Sequence, residues 1–151
     1  MAKKFKFGLE ALKKYRDQRL LLAKRDLAQV NARHNEIISK IESCDHEARE
    51  SLGEALNITK NAANFLMGAS LVESALQMKK SLTGELATVA KELERHREWV
   101  THLSRELKAV EKLEQRQRER HDKEILTKEK QAMDSWVAER WGRSPLARSH
   151  E

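Results

Sequence analysis

Apolar residues recur at alternating steps of three and four from Leu20 onward: Leu20, Ala23, Leu27, Val30, His34, Ile37, Ile41, Cys44, Ala48, Ser51, Ala55 and Ile58. Such spacing is an a/d heptad seam, one apolar stripe along an α-helix. A second series keeps the same period through Val72, Ala75, Lys79, Leu82, Leu86, Val89, Leu93, His96, Val100, Leu103, Leu107 and Val110. Glu, Lys, Arg and Gln fill the other faces. Between the two series lies NITKNAANFLMGAS, residues 57 to 70, whose three asparagines and Gly68 read as a turn. Ser70-Leu71-Val72-Glu73 then has the spacing of a capping box, in which serine and glutamate satisfy each other's amides at a helix start.

The pattern therefore predicts an all-α protein of two long helices folded into an antiparallel coiled-coil hairpin, the second helix longer. The expected segments are a basic and aromatic arm at 1–7, helix one at 8–58, a turn at 59–69, helix two at 70–141 and a flexible tail at 142–151. Gly142 and Pro145 end the second helix. At 1.5 Å per residue, helix one reaches roughly 75 Å and helix two about 105 Å. One register centres the turn on Phe65. It pairs Leu20 with Val110, Ala23 with Leu107, Leu27 with Leu103, Val30 with Val100, Ile37 with Leu93, Ile41 with Val89 and Cys44 with Leu86. Arg16 then meets Glu114, His34 meets His96, and Leu9 lies near His121. A slip of one heptad either way stays open. Helix two overhangs by about 20 residues, carrying Ile125, Met133, Trp136, Val137 and Trp141 with no opposing helix.

Composition agrees with the period. Charged residues make up 36% of the 151 and aromatics 5%, so long helices fit better than a compact globule. So polar a chain also suits disorder, and the sustained heptads decide against it. The net charge is +6 and unevenly placed. The first 25 residues hold Lys3, Lys4, Lys6, Lys13, Lys14, Arg16, Arg19, Lys24 and Arg25 against Glu10 and Asp17. A basic end suggests an acidic partner, or is simply a solvated helical end. The single cysteine, Cys44, allows no internal disulfide and fits a reducing compartment. The N-terminus has no apolar run of signal-peptide length, and no stretch approaches the roughly 20 apolar residues of a membrane span. A cytoplasmic protein is expected.

No catalytic set appears: no Gly-rich phosphate loop, no spaced Cys/His cluster for a metal, no nucleophile beside a base. The expectation is a non-enzymatic protein without metal or cofactor. His34 and His96 on the seam read as polar residues that fix register, or as a pH-sensitive layer. Early in helix two, Leu71, Leu76 and Met78 fall off a weak seam where Lys79 faces Ser51. They form either a partner-binding patch or a broadened seam. On the overhang, Met, Trp and Arg are residue types favoured in interfaces. Phe5 and Phe7 could fold back to cover part of that face.

Three segments in order carry a family resemblance. Lys4-Phe5-Lys6-Phe7-x-Leu9-Glu10-x-Leu12-x-x-Tyr15-Arg16 resembles the opening signature of the FliJ family of flagellar type III export proteins. Val110-Glu111-Lys112-Leu113-Glu114-Gln115-Arg116-Gln117 resembles its second-helix segment, and Lys128-Glu129-Lys130-Gln131-x-Met133-Asp134 its ending. The resemblance spans nearly the whole chain. It implies an antiparallel two-helix coiled coil, similar to the central stalk of rotary ATPases, that binds the hexameric export ATPase at its pore. It further implies contact with the cytoplasmic domain of the export gate protein, handling of escort chaperones, and a cytoplasmic place at the inner-membrane face of the flagellar base. On matching positions, the ring-binding residues would be Phe5, Phe7, Leu9, Arg16, Leu113, Arg116, Met133 and Trp136. The gate-binding residues would be Leu71, Ala75, Met78 and Leu82. Relatives tend to carry aromatic and polar residues at that second site, so this chain departs from the pattern there.

One rival reading falls in the same function class, and two belong to different ones. A virulence-type secretion stalk shares its architecture, and only the motifs favour the flagellar one. A nucleic-acid-binding coiled coil would use the basic end and lose affinity steeply with salt. A parallel structural dimer would have no need of the turn. Direct membrane insertion and nucleic-acid binding are not expected.

Overall fold

The computed structural model describes residues 4–57 and 62–142. They form two helices, α1 at Glu10–Asn57 and α2 at Ala62–Gly142, packed against each other as an antiparallel hairpin. No strand occurs among the described residues. Contacts divide the chain into two units, each taking a segment of both helices. One joins Met1–Asp17 to Arg105–Glu151, and the other is Gln18–Ser104.

In the Gln18–Ser104 unit the predicted stripes face each other. Val30, Ile37, Val89 and Leu93 form the buried centre, with Leu27, Ile41, Leu82 and Leu86 packed against it. Every seam position foreseen in this unit and described is buried or half-buried, whereas most flanking charges are exposed. Cys44 is buried there as a free thiol. Threonines on α2, such as Thr83 and Thr88, donate their hydroxyls to carbonyls one turn back, which satisfies them without a partner helix.

The register is one heptad away from the expected one. Lys79 Nζ lies 2.7 Å from Asp45 and Arg33 Nη1 3.6 Å from Glu92. At the turn end Gly68 meets Ala55: a Cβ built on Gly68 would sit 2.6 Å from the Cβ of Ala55. Val30 thus falls in the layer of Leu93, Ile37 in that of Leu86 and Ile41 in that of Leu82. His34 and His96, expected to share a layer, are placed in different ones, which removes the paired-imidazole switch.

The reason is the turn. α2 starts at Ala62, so residues 62–69 are helical where a turn was expected. Ser70 and Glu73 are exposed residues within α2 and do not cap it. Asn64 and Gly68 carry turn-like residue types, but Gly68 serves close helix approach. A shorter connection moves the centre of the hairpin toward the N-terminus and shifts the pairing by one heptad. Ile58 at the expected end of helix one, the expected turn residues 59–61, the tail beyond Gly142 and residues 1–3 of the arm lie outside the described residues.

Candidate protein-binding surfaces

The Met1–Asp17/Arg105–Glu151 unit is built from the basic arm upward. Residues 4–7 are not helical, and Gly8 and Leu9 make a turn. The Glu10 amide donates to the Phe7 carbonyl at 3.3 Å and the Lys13 amide to Leu9 at 2.9 Å. Leu9 thereby opens α1, and the Glu10 carboxylate sits in its first turn, where the helix dipole favours negative charge.

The arm folds back on α2. Phe7 is buried in the same unit as Leu107 and Val110. The Phe5 ring is half-buried, 5.6 Å from the His121 ring and tilted against it. The Arg118 guanidinium lies 5.4 Å from the centre of the Phe5 ring, an arrangement its quadrupole favours. Glu114 is the polar hinge of the unit. Its carboxylate accepts from Lys13 Nζ at 2.6 Å and meets Arg118 at 3.5 Å. The hydrogen bond to Glu114 raises the Lys13 ammonium above its ordinary 10.5; partial desolvation opposes this, and the charge of Glu114 adds to it. Arg16, expected to meet Glu114, instead donates from Nη1 to the Glu106 carbonyl at 2.9 Å. Lys13 takes the expected role because of the heptad shift. Phe5 likewise takes the place expected for Leu9 beside His121.

Beyond His121 the half-buried Ile125 is the last shielded residue among those described, and Leu126 to Gly142 are all exposed. Met133 keeps 61% of its surface in solvent and Trp136 53%. Val137 and Trp141 are exposed on the same stretch. Arg140 lies over the Trp136 ring at 5.0 Å.

The sequence-predicted ring-binding residues thus separate into three groups. Phe7 is an internal anchor with no free face, and Arg16 is engaged with the backbone. Phe5, Leu9, Leu113 and Arg116 are at least partly exposed near the arm. Met133 and Trp136 lie on the overhang, Trp136 about 22 Å along α2 from His121, so the fold does not bring them to Phe5. Arg118 and His121, which hold Phe5, were missed. Both lie one or two turns beyond Leu113, and the expected register sets Leu9, not Phe5, near His121.

The second surface lies in the Gln18–Ser104 unit. Of the predicted gate-binding residues, Leu71 and Met78 are exposed at 56% and 61%, whereas Ala75 is buried and Leu82 packs on the core. Ala75 and Leu82 are therefore seam residues with little free surface. Met67 lines a hollow together with Leu71 and adds exposed apolar surface beside it, and Phe65, Leu66 and Leu76 are exposed elsewhere on the same stretch.

Among the described residues no group of His, Cys, Asp and Glu could hold a metal ion. No described helix is long and apolar enough to cross a membrane. A family model described as "Flagellar FliJ protein" matches residues 5–146. No curated protein and no solved structure matches the chain.

Proposed function

Because the chain belongs to the flagellar FliJ protein family, whose members are non-enzymatic components of the flagellar type III export apparatus, we propose that it acts there as a stalk-like coiled coil. It binds the hexameric export ATPase, promotes ring assembly and hydrolysis, and links the ring to the cytoplasmic domain of the export gate protein and to escort chaperones. It works in the cytoplasm, at the inner-membrane face of the flagellar base. The ring contact uses Phe5, Leu9, Leu113 and Arg116 near the arm and Met133 and Trp136 on the overhang. The gate contact uses Leu71 and Met78.

The observation that carries this reading is the bare end of α2. An amphipathic helix that leaves Leu126, Met133, Trp136, Val137 and Trp141 in water gives up burial worth about 1.5–3 kcal/mol for each large apolar side chain unless something covers it. Covering by a partner recovers that energy, and Trp, Met and Arg are well suited to the task.

The test is ATP hydrolysis by the purified cognate export ATPase with and without this protein. Stimulation by the intact chain is expected. It should be lost in Met133→Ala/Trp136→Ala and in a chain ending before Lys123, and reduced in Phe5→Ala. Absence of both stimulation and ring binding, with the hairpin folded by circular dichroism, would rule the reading out.

A further inference from the structure

The chain is basic overall, yet its charge reverses at the turn end of the Gln18–Ser104 unit. From Glu47 to Met78 the described residues hold Glu47, Glu50, Glu54 and Glu73 against Arg49 alone. Three of these carboxylates line one wall of a hollow of about 340 Å³ between α1 and α2, whose other wall includes Leu71, Ala75 and Met78. A second hollow of about 210 Å³ continues it toward the turn, sharing Ser51, Glu54 and Leu71 and adding Met67. The two make one trough, acidic on the α1 side and apolar on the α2 side.

Two further features select its occupant. Glu47 and Glu54 are one heptad apart, and so are Leu71 and Met78. A third helix laid along the trough meets the same two surfaces at each heptad, as a strand added to a coiled coil does. The carboxylates are also available. No described cation pairs with Glu47 or Glu54, and Glu50 meets only the exposed His46, at 3.1 Å. An uncharged helix would take these groups out of water without a partner, at a cost. An acidic helix or a phosphate backbone would be repelled.

We propose that this trough binds a basic amphipathic helix of a partner protein. Its apolar stripe packs on Leu71 and Met78, and its Lys/Arg flank lies against Glu47, Glu50 and Glu54. The proposal deepens the gate-binding reading of Leu71 and Met78 and rests on it for the partner's identity. The acidic wall of α1 is the new element: it makes α1 part of the interface and gives the contact its charge selectivity.

The test titrates the full chain, labelled at its methionine methyls, with two designed helical peptides. Both carry the same leucine stripe, one with lysine flanks and the other with glutamate flanks. The lysine peptide is expected to shift the Met67 and Met78 methyls and leave Met133 in place. The glutamate peptide should shift none. A Glu47→Gln/Glu50→Gln/Glu54→Gln variant should weaken the lysine peptide about tenfold, and added salt should weaken it in the wild type. Equal binding of the two peptides, no shift at Met67 and Met78, or full affinity in the triple variant overturns the proposal. A parallel arm uses the cytoplasmic domain of the cognate gate protein. Gate binding lost in Leu71→Ala/Met78→Ala but unchanged in the triple glutamine variant keeps the gate reading and overturns the acidic wall. Lysine-peptide binding with no gate binding does the reverse, keeping the trough and removing the gate as its partner.

Discussion

Gly68 shows how one residue sets a contact distance. The Cβ that any other residue would bring lands 2.6 Å from the Cβ of Ala55, well inside contact, and the obstacle is a rigid stub that cannot swing away. Gly68→Ala is expected to force the helices apart locally and cost about 1–3 kcal/mol, read as a lower urea midpoint. Gly84 has the opposite character, with open space where a Cβ would stand. Gly84→Ala should stabilise the chain by about 0.4–1 kcal/mol, since alanine restricts the unfolded chain and favours helix. The sequence reads Gly68 as a turn residue and Gly84 as a helix interior one, but both lie within α2, and the neighbour across the seam sets their different costs. Lys13 gives a pH-dependent prediction. Its ammonium is held above 10.5 by Glu114, so its contribution to stability is fully present below that ordinary value. It is lost as pH rises through the raised one. Urea unfolding of the intact chain and of Lys13→Met should differ at neutral pH, and the difference should fade above about pH 10.5.

For the helices, the heptad period carried most of the information. Both stripes, their antiparallel pairing and the unpartnered end of α2 were legible, because a seam needs only apolar side chains at the right spacing. The turn was not. Asparagine, glycine and a serine-to-glutamate spacing are local signals, and within residues 62–73 tertiary packing overrode them. A heptad seam also looks nearly the same after a slip of one repeat, so periodicity could not choose the register. That choice moved with the turn, and it carried Lys13, Arg16 and Phe5 to their actual partners. The arm is the second element whose fate depended on register. Phe7 is its anchor, and Phe7→Ala is expected to release it at a cost of about 1.5–3 kcal/mol. The ring-current shift of the His121 protons caused by Phe5 should disappear with it, while α1 and α2 stay folded by circular dichroism.

Across the molecule, packing and exposure are divided unevenly along the chain. Burial is concentrated from Phe7 to Ala55 on one side and from Ala75 to Val110 on the other, and no described residue after Ile125 is shielded. A chain ending before Lys123 should therefore unfold at nearly the midpoint of the full chain, within about 0.5 kcal/mol, although it is expected to lose ring stimulation. Stability and the proposed ring contact would then occupy different parts of α2. Of the residues the family resemblance singles out, Met133, Trp136, Leu71 and Met78 keep exposed surface, whereas Phe7, Ala75 and Leu82 are apolar residues packed within the hairpin.

The lone thiol in the seam makes the protein its own stopwatch. Cys44 is shut inside the hairpin with 5% of its surface accessible, so a thiol reagent reacts with it only when the two helices part around it. The labelling rate then counts seam openings directly, without an added label or a second cysteine to confuse the signal. A Gly68→Ala chain should run that clock faster, and a partner helix seated nearby should slow it.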